Sequence, residues 1–94
     1  MLLYTKTDAK KYQSFSNTEK KECKTVIANL LRVNKIKRDS DTIGVWFKNP
    51  DHLENSSITQ TITLPTMLFT MKTAIAIIIE KRKAENNELF NFFK

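Results

Sequence analysis

One histidine, one cysteine and ten carboxylates are the side chains of this 94-residue chain most suited to acid–base or metal chemistry. His52 lies in Asn49-Pro50-Asp51-His52-Leu53-Glu54, where an imidazole beside two acids can be drawn as a proton-transfer or metal-binding group. The segment lacks a paired-ligand spacing of the H-E-x-x-H kind, so it reads as a solvated loop histidine. Asp39, Asp41, Asp51 and Glu54 fall in two turn segments that a hairpin can bring together around Mg²⁺. Turns also collect acids for their own backbone hydrogen bonds. Cys23 has no local base and sits on an apolar helical stripe, which makes it a small buried hydrophobe. A single glycine excludes the phosphate-cradling and dinucleotide-binding loops, and no serine sits in a nucleophile elbow. The expectation is a protein without a catalytic site, metal or cofactor, and not an enzyme.

Cations are the side chains in excess. Sixteen Lys and Arg face ten Asp and Glu, for a net charge of +6. Residues 1–38 hold ten basic residues against three acids, whereas residues 39–94 hold six against seven. The whole excess therefore lies in the first two fifths of the chain. Lys20, Lys21, Lys24, Arg32, Lys35, Lys37 and Arg38 fall on or just past one predicted helix. Cations on a rigid rod suit phosphate contacts. Tyr12 and Trp46 are candidate stacking residues for exposed bases. The function read from this pattern is a small non-enzymatic nucleic-acid-binding or regulatory protein. The alternative is a protein-interaction module, an inhibitor, adaptor or accessory subunit, that turns the basic helix to an acidic protein surface or docks through the aromatic C-terminus. Charge kept for solubility alone is the third reading.

These side chains need elements to hold them. Ser16 and Glu19 have capping-box spacing, and Cys23, Val26, Ile27, Leu30 and Leu31 follow a helical period, which predicts a helix from about Asn17 to Ile36. Thr42–Lys48 is rich in β-branched and aromatic residues and reads as a strand, with Gly44 marking a bulge or a close backbone approach. Ile58, Gln60, Ile62 and Leu64 alternate with Thr59, Thr61 and Thr63, which predicts a second strand and an antiparallel hairpin. Pro65–Glu85 fits a helix with Pro65 in its first turn, although 74–79 also fits a buried strand. The fold expected is α+β in a single domain over 1–94, with 1–16 as a loosely ordered arm: a basic N-terminal amphipathic helix, a small antiparallel sheet and a C-terminal helical segment.

The threonine-rich segment followed by Leu64-Pro65 and a helix resembles, over residues 58–72, the strand–helix opening of ribbon-helix-helix DNA-binding proteins. That resemblance implies Thr59, Thr61 and Thr63 as groove readers. The chain departs from the family where a turn between two helices is due, because Met71–Ile79 reads straight through. The order helix, strands, helix also resembles double-stranded RNA-binding domains, without the glycine- and lysine-rich opening of their last helix.

A chain this short buries only about 60–65% of its unfolded surface. The apolar residues Met71, Ile75, Ile78, Leu89, Phe92 and Phe93 are therefore expected to form an interface with a second copy, giving a homodimer. The apolar run 64–79 is shorter than a bilayer span, and the first twenty residues lack a signal-peptide core. With one unpaired cysteine, the expected compartment is cytoplasmic, without a membrane partner.

Overall fold

The computed structural model describes the backbone of residues 3–92 and the side chains of residues 3–86. Four α-helices and two short 3-10 turns occur among the described residues: α1 (Lys6–Ser14), α2 (Asn17–Val33), α3 (Ser40–Lys48), turns at Pro50–Asn55 and Ser57–Gln60, and α4 (Leu64–Phe92). No strand occurs among the described residues. The expected α+β fold is thus corrected to an all-helical one, and the resemblance to ribbon-helix-helix and double-stranded RNA-binding proteins loses the strands that carried it.

The α2 helix begins where its capping residues say it should. The Glu19 amide donates to Ser16 Oγ at 3.2 Å, and the Ser16 amide donates to the Glu19 carboxylate at 2.8 Å. It ends three residues before Ile36, because Lys35 turns to φ 59°. The Lys35 amide then donates to Arg32 O and the Ile36 amide to Leu31 O. This is a Schellman closure, with Ile36 folded back over Leu31 as the apolar contact that accompanies it.

The first expected strand is α3. Asp39 accepts the Thr42 amide at 2.7 Å and starts a helix that buries Ile43, Trp46 and Phe47, the i, i+3, i+4 set, while Val45 points to solvent. Ile43 and Phe47 satisfy both an alternating and a helical pattern, and tertiary burial decides for the helix over β-propensity. Gly44 is neither bulge nor forced approach. It is helical, and a Cβ there would meet Lys24 Cδ and Tyr12 Oη at an ordinary 3.7 Å.

The second expected strand is a 3-10 turn and a helix cap. Its hydroxyls take up local backbone work: Thr59 donates to Ser56 O, and Thr63 accepts the Thr66 amide at the start of α4. Pro65 occupies the first turn of α4. At about 43 Å, α4 is longer than the body it packs on, and the molecule measures 52 × 24 × 23 Å.

One core joins all four helices. Met67, Met71, Ala74, Ile75 and Ile78 of α4 join Cys23, Ile27 and Leu31 of α2 and Ile43 and Phe47 of α3 in it. Tyr12 stacks on Phe47 with ring centroids 4.8 Å apart, and Tyr4 meets the same ring edge-on. Tyr4 also ties the N-terminal arm down, its amide donating to Leu68 O and its hydroxyl to Phe47 O.

Candidate functional site

The distribution of ion pairs decides where charge remains on the folded surface. All three acids of residues 1–38 are taken by α4. Asp8 pairs with Lys72 at 2.9 Å, Glu19 with Arg82 at 2.7 Å and Glu22 with Lys81 at 3.2 Å. The Arg82 hydrogen bonds, followed by the Ser16 amide, pull the Glu19 carboxyl down to about 2. The Arg82 guanidinium also lies 5.2 Å from the Phe15 ring centroid. A phosphate face on the Lys81-Arg82-Lys83 run would compete with these pairs, and Lys83 itself faces Glu80 at 3.6 Å.

The basic side chains of residues 20–38 have no such partners. None of Lys20, Lys21, Lys24, Arg32, Lys35, Lys37 and Arg38 makes an ion pair among the described residues. The helical period explains the segregation: Glu19 and Glu22 lie on the flank of α2 that turns to α4. Lys21, Lys24 and Arg32 lie on the flank that turns to α3. Lys20 is at the inner edge, its ammonium 5.7 Å from the Tyr12 ring centroid. The other six crowd around the α2–α3 connection. Two acids share that corner, Asp41 and Asp39, and the Asp39 carboxyl is held below its usual range first by the Thr42 amide.

Arg38 organises the corner. Its guanidinium donates to Lys37 O and to Ser57 Oγ, anchoring it between α2 and the second 3-10 turn. On one side, Lys21, Lys24, Thr25, Ala28, Arg38, Ser40 and Ile43 line a groove of about 220 Å³. On the other, Arg32, Lys35, Lys37 and Arg38 rim a groove of about 530 Å³ whose floor is Ala28, Leu31 and Ile36. Ala28 opens both because its side chain is short. The contribution of Ser57 was not legible, since the residue lies 19 positions from Arg38 in a segment with no charge of its own.

Other expected site residues are placed elsewhere. Tyr12 is 1% and Trp46 4% exposed, so both are core residues and neither presents a face to a base. Met71, Ile75 and Ile78, expected at a subunit interface, are buried within the single chain. The side chains of Leu89 and Phe92, and all of Phe93, lie outside the described residues. His52 is exposed on the first 3-10 turn, and the hairpin that would have gathered Asp39, Asp41, Asp51 and Glu54 is not there. Among the described residues no group of three or more His, Cys, Asp or Glu is placed to share a metal. Burial, then the charges of Glu22 and Glu19, pushes the Cys23 thiol up to about 12, so it is no thiolate nucleophile. No described helix is long and apolar enough to cross a membrane. No family model, curated protein or solved structure matches the chain.

Proposed function

We propose that the protein is a non-enzymatic nucleic-acid-binding protein that holds the phosphates of a duplex at its basic α2–α3 corner. The observation that carries the reading is the segregation of charge: α4 neutralises the acids of α1 and α2 and leaves six cations around one connection, in no ion pair among the described residues and with only Asp39 and Asp41 beside them. A duplex is favoured over a single strand because Tyr12 and Trp46 are buried and no aromatic side chain lines either groove of the basic corner. Backbone contacts alone position a protein without reading sequence, so the binding expected is sequence-tolerant.

Binding to random duplex and single-stranded oligonucleotides across a salt series tests this. With about four to six phosphate contacts, the logarithm of affinity falls with the logarithm of salt at a slope of roughly −4 to −5 on duplex. Changing Lys21, Lys24 and Arg38 together to Gln flattens the slope by up to about three units. Absence of binding at low salt overturns the reading.

A second reading rests on the floor of the larger groove. Leu31 and Ile36 beneath four cations suit an acidic protein segment carrying an aliphatic side chain. Binding that survives salt sufficient to abolish duplex binding, and that is lost in Ile36→Ser, favours this class.

A further inference from the structure

The outer face of α4, opposite its buried stripe, carries Thr66, Phe69, Thr70, Thr73, Ala76 and Ile77 at helical spacing. Phe69 is 52% and Ile77 50% exposed. No charge falls on this stripe until Glu80, on a chain of net charge +6. The threonines are less polar than their names suggest. Thr70 donates its hydroxyl to Thr66 O at 2.8 Å, and Thr73 donates to Phe69 O at 2.9 Å. Both hydroxyl protons are thus satisfied within the helix, and covering the stripe strands neither of them.

We propose that this face is where a second copy of the chain docks, α4 against α4, antiparallel, with the two-fold axis at Thr73. The spacing is self-complementary about that residue. Four positions either way bring Phe69 of one copy level with Ile77 of the other. Three positions either way bring Thr70 level with Ala76, and small residues at the centre let the backbones approach. Seven positions bring Glu80 to the first turn of the opposing α4, beside Thr66, where the positive end of the helix dipole favours an acid. A parallel pairing sets Phe69 on Phe69 and Glu80 on Glu80, and loses that complementarity.

The contact spans about 21 Å of helix and covers on the order of 800 Å² in total, small for a specific interface, so a weak dimer forming at tens to hundreds of micromolar is expected. It uses none of Met71, Ile75 and Ile78, which the core already holds, and none of the basic corner.

Sedimentation equilibrium of the full chain from about 10 to about 500 μM, in salt sufficient to screen its charge, is expected to show a monomer–dimer equilibrium. Ile77→Lys, an exposed change that leaves the helical circular dichroism intact, abolishes it. Thr73→Cys forms a disulfide dimer on mild oxidation. Phe69→Cys does not, because its two copies lie about 12 Å apart along the antiparallel pair, beyond disulfide reach. A monomer at every concentration overturns the proposal, as does a dimer indifferent to Ile77→Lys. Equal cross-linking of the two cysteine variants overturns the register.

Discussion

Lys72 sets its ammonium 2.9 Å from one carboxylate oxygen of Asp8 and 3.0 Å from the other, across 64 residues of chain. The pair is asymmetric in burial: the Asp8 side chain is 1% exposed and that of Lys72 30%. Asp8 also accepts the Thr5 amide and hydroxyl. Removing the lysine therefore leaves a buried carboxylate short of its counter-charge, whereas removing the carboxylate leaves an ammonium that can turn to water. Lys72→Met is expected to cost about 3 kcal/mol, and Asp8→Asn about 1 kcal/mol. Urea unfolding of the two variants checks the order. Equal losses contradict the asymmetry.

Acid should unfold the protein through the same contacts. Burial raises the Asp8 carboxyl, but the Lys72 and Thr5 hydrogen bonds outweigh it and hold the group below its usual 3.8. Arg82 holds Glu19 at about 2 against an ordinary 4.5. Both folded values are depressed, so their stabilisation is complete above the unfolded values and is lost as pH falls through the folded ones. The melting temperature is expected to be level between pH 7 and about 5 and to fall from there towards 2. Glu19→Gln removes part of that slope but lowers stability at pH 7 by only about 0.5–1 kcal/mol, because the pair is partly exposed. A variant whose acid limb matches the wild type assigns the loss to other carboxylates.

Most of what the sequence could express about helices came from residues acting locally. Ser16 and Glu19 announce the start of α2, and Pro65 the start of α4, because a cap or a fixed φ works within a few residues. The central segment misled for a physical reason. Ile43, Val45 and Phe47 alternate, and so do Ile58, Gln60, Ile62 and Leu64; over seven residues, two periods cannot be separated. The deciding terms are the Asp39 cap and the fit of Trp46 and Phe47 into a core supplied by Tyr4, Tyr12 and α4. Met71, Ile75 and Ile78 likewise read from sequence as a subunit interface, but within the chain they are buried where α4 packs on α2, α1 and the first 3-10 turn. At the corner, the cations were legible from composition and spacing. Their isolation was not, because it depends on Lys72, Lys81 and Arg82 reaching back to acids some sixty residues away.

Gly44 is a stabilising substitution waiting to be made. It lies inside α3, where glycine costs about 0.5–1 kcal/mol relative to alanine, and the space for a Cβ is open to ordinary contact. Gly44→Ala is expected to gain about that much and to raise the melting temperature by about 4 °C. Its new methyl would lie 3.7 Å from Lys24 Cδ, so duplex affinity should stay within about twofold. A destabilised variant shows that the Lys24 stem or the Tyr12 hydroxyl needs the room.

Lys35 separates stability from binding. It is the one non-glycine residue with positive φ among those described, at the position after a helix where glycine is usual. A side chain in that conformation costs about 1 kcal/mol relative to glycine, and nothing in the core repays it, since the residue is exposed. Its ammonium stands at the rim of the larger groove with Arg32, Lys37 and Arg38. Lys35→Gly is therefore expected to stabilise the fold by about 1 kcal/mol while weakening duplex binding about tenfold near 0.1 M salt and reducing the salt slope by about one unit. Lys35→Asn, which tolerates the same φ without a charge, should lose the same affinity for a smaller gain in stability. Thermal unfolding and a salt titration on the same samples read both effects. Stabilisation with unchanged affinity removes Lys35 from the contact set and shifts the phosphate face to the Lys21, Lys24 and Arg38 groove. Lost affinity without stabilisation means that the strained turn is compensated by a contact the Schellman closure does not account for.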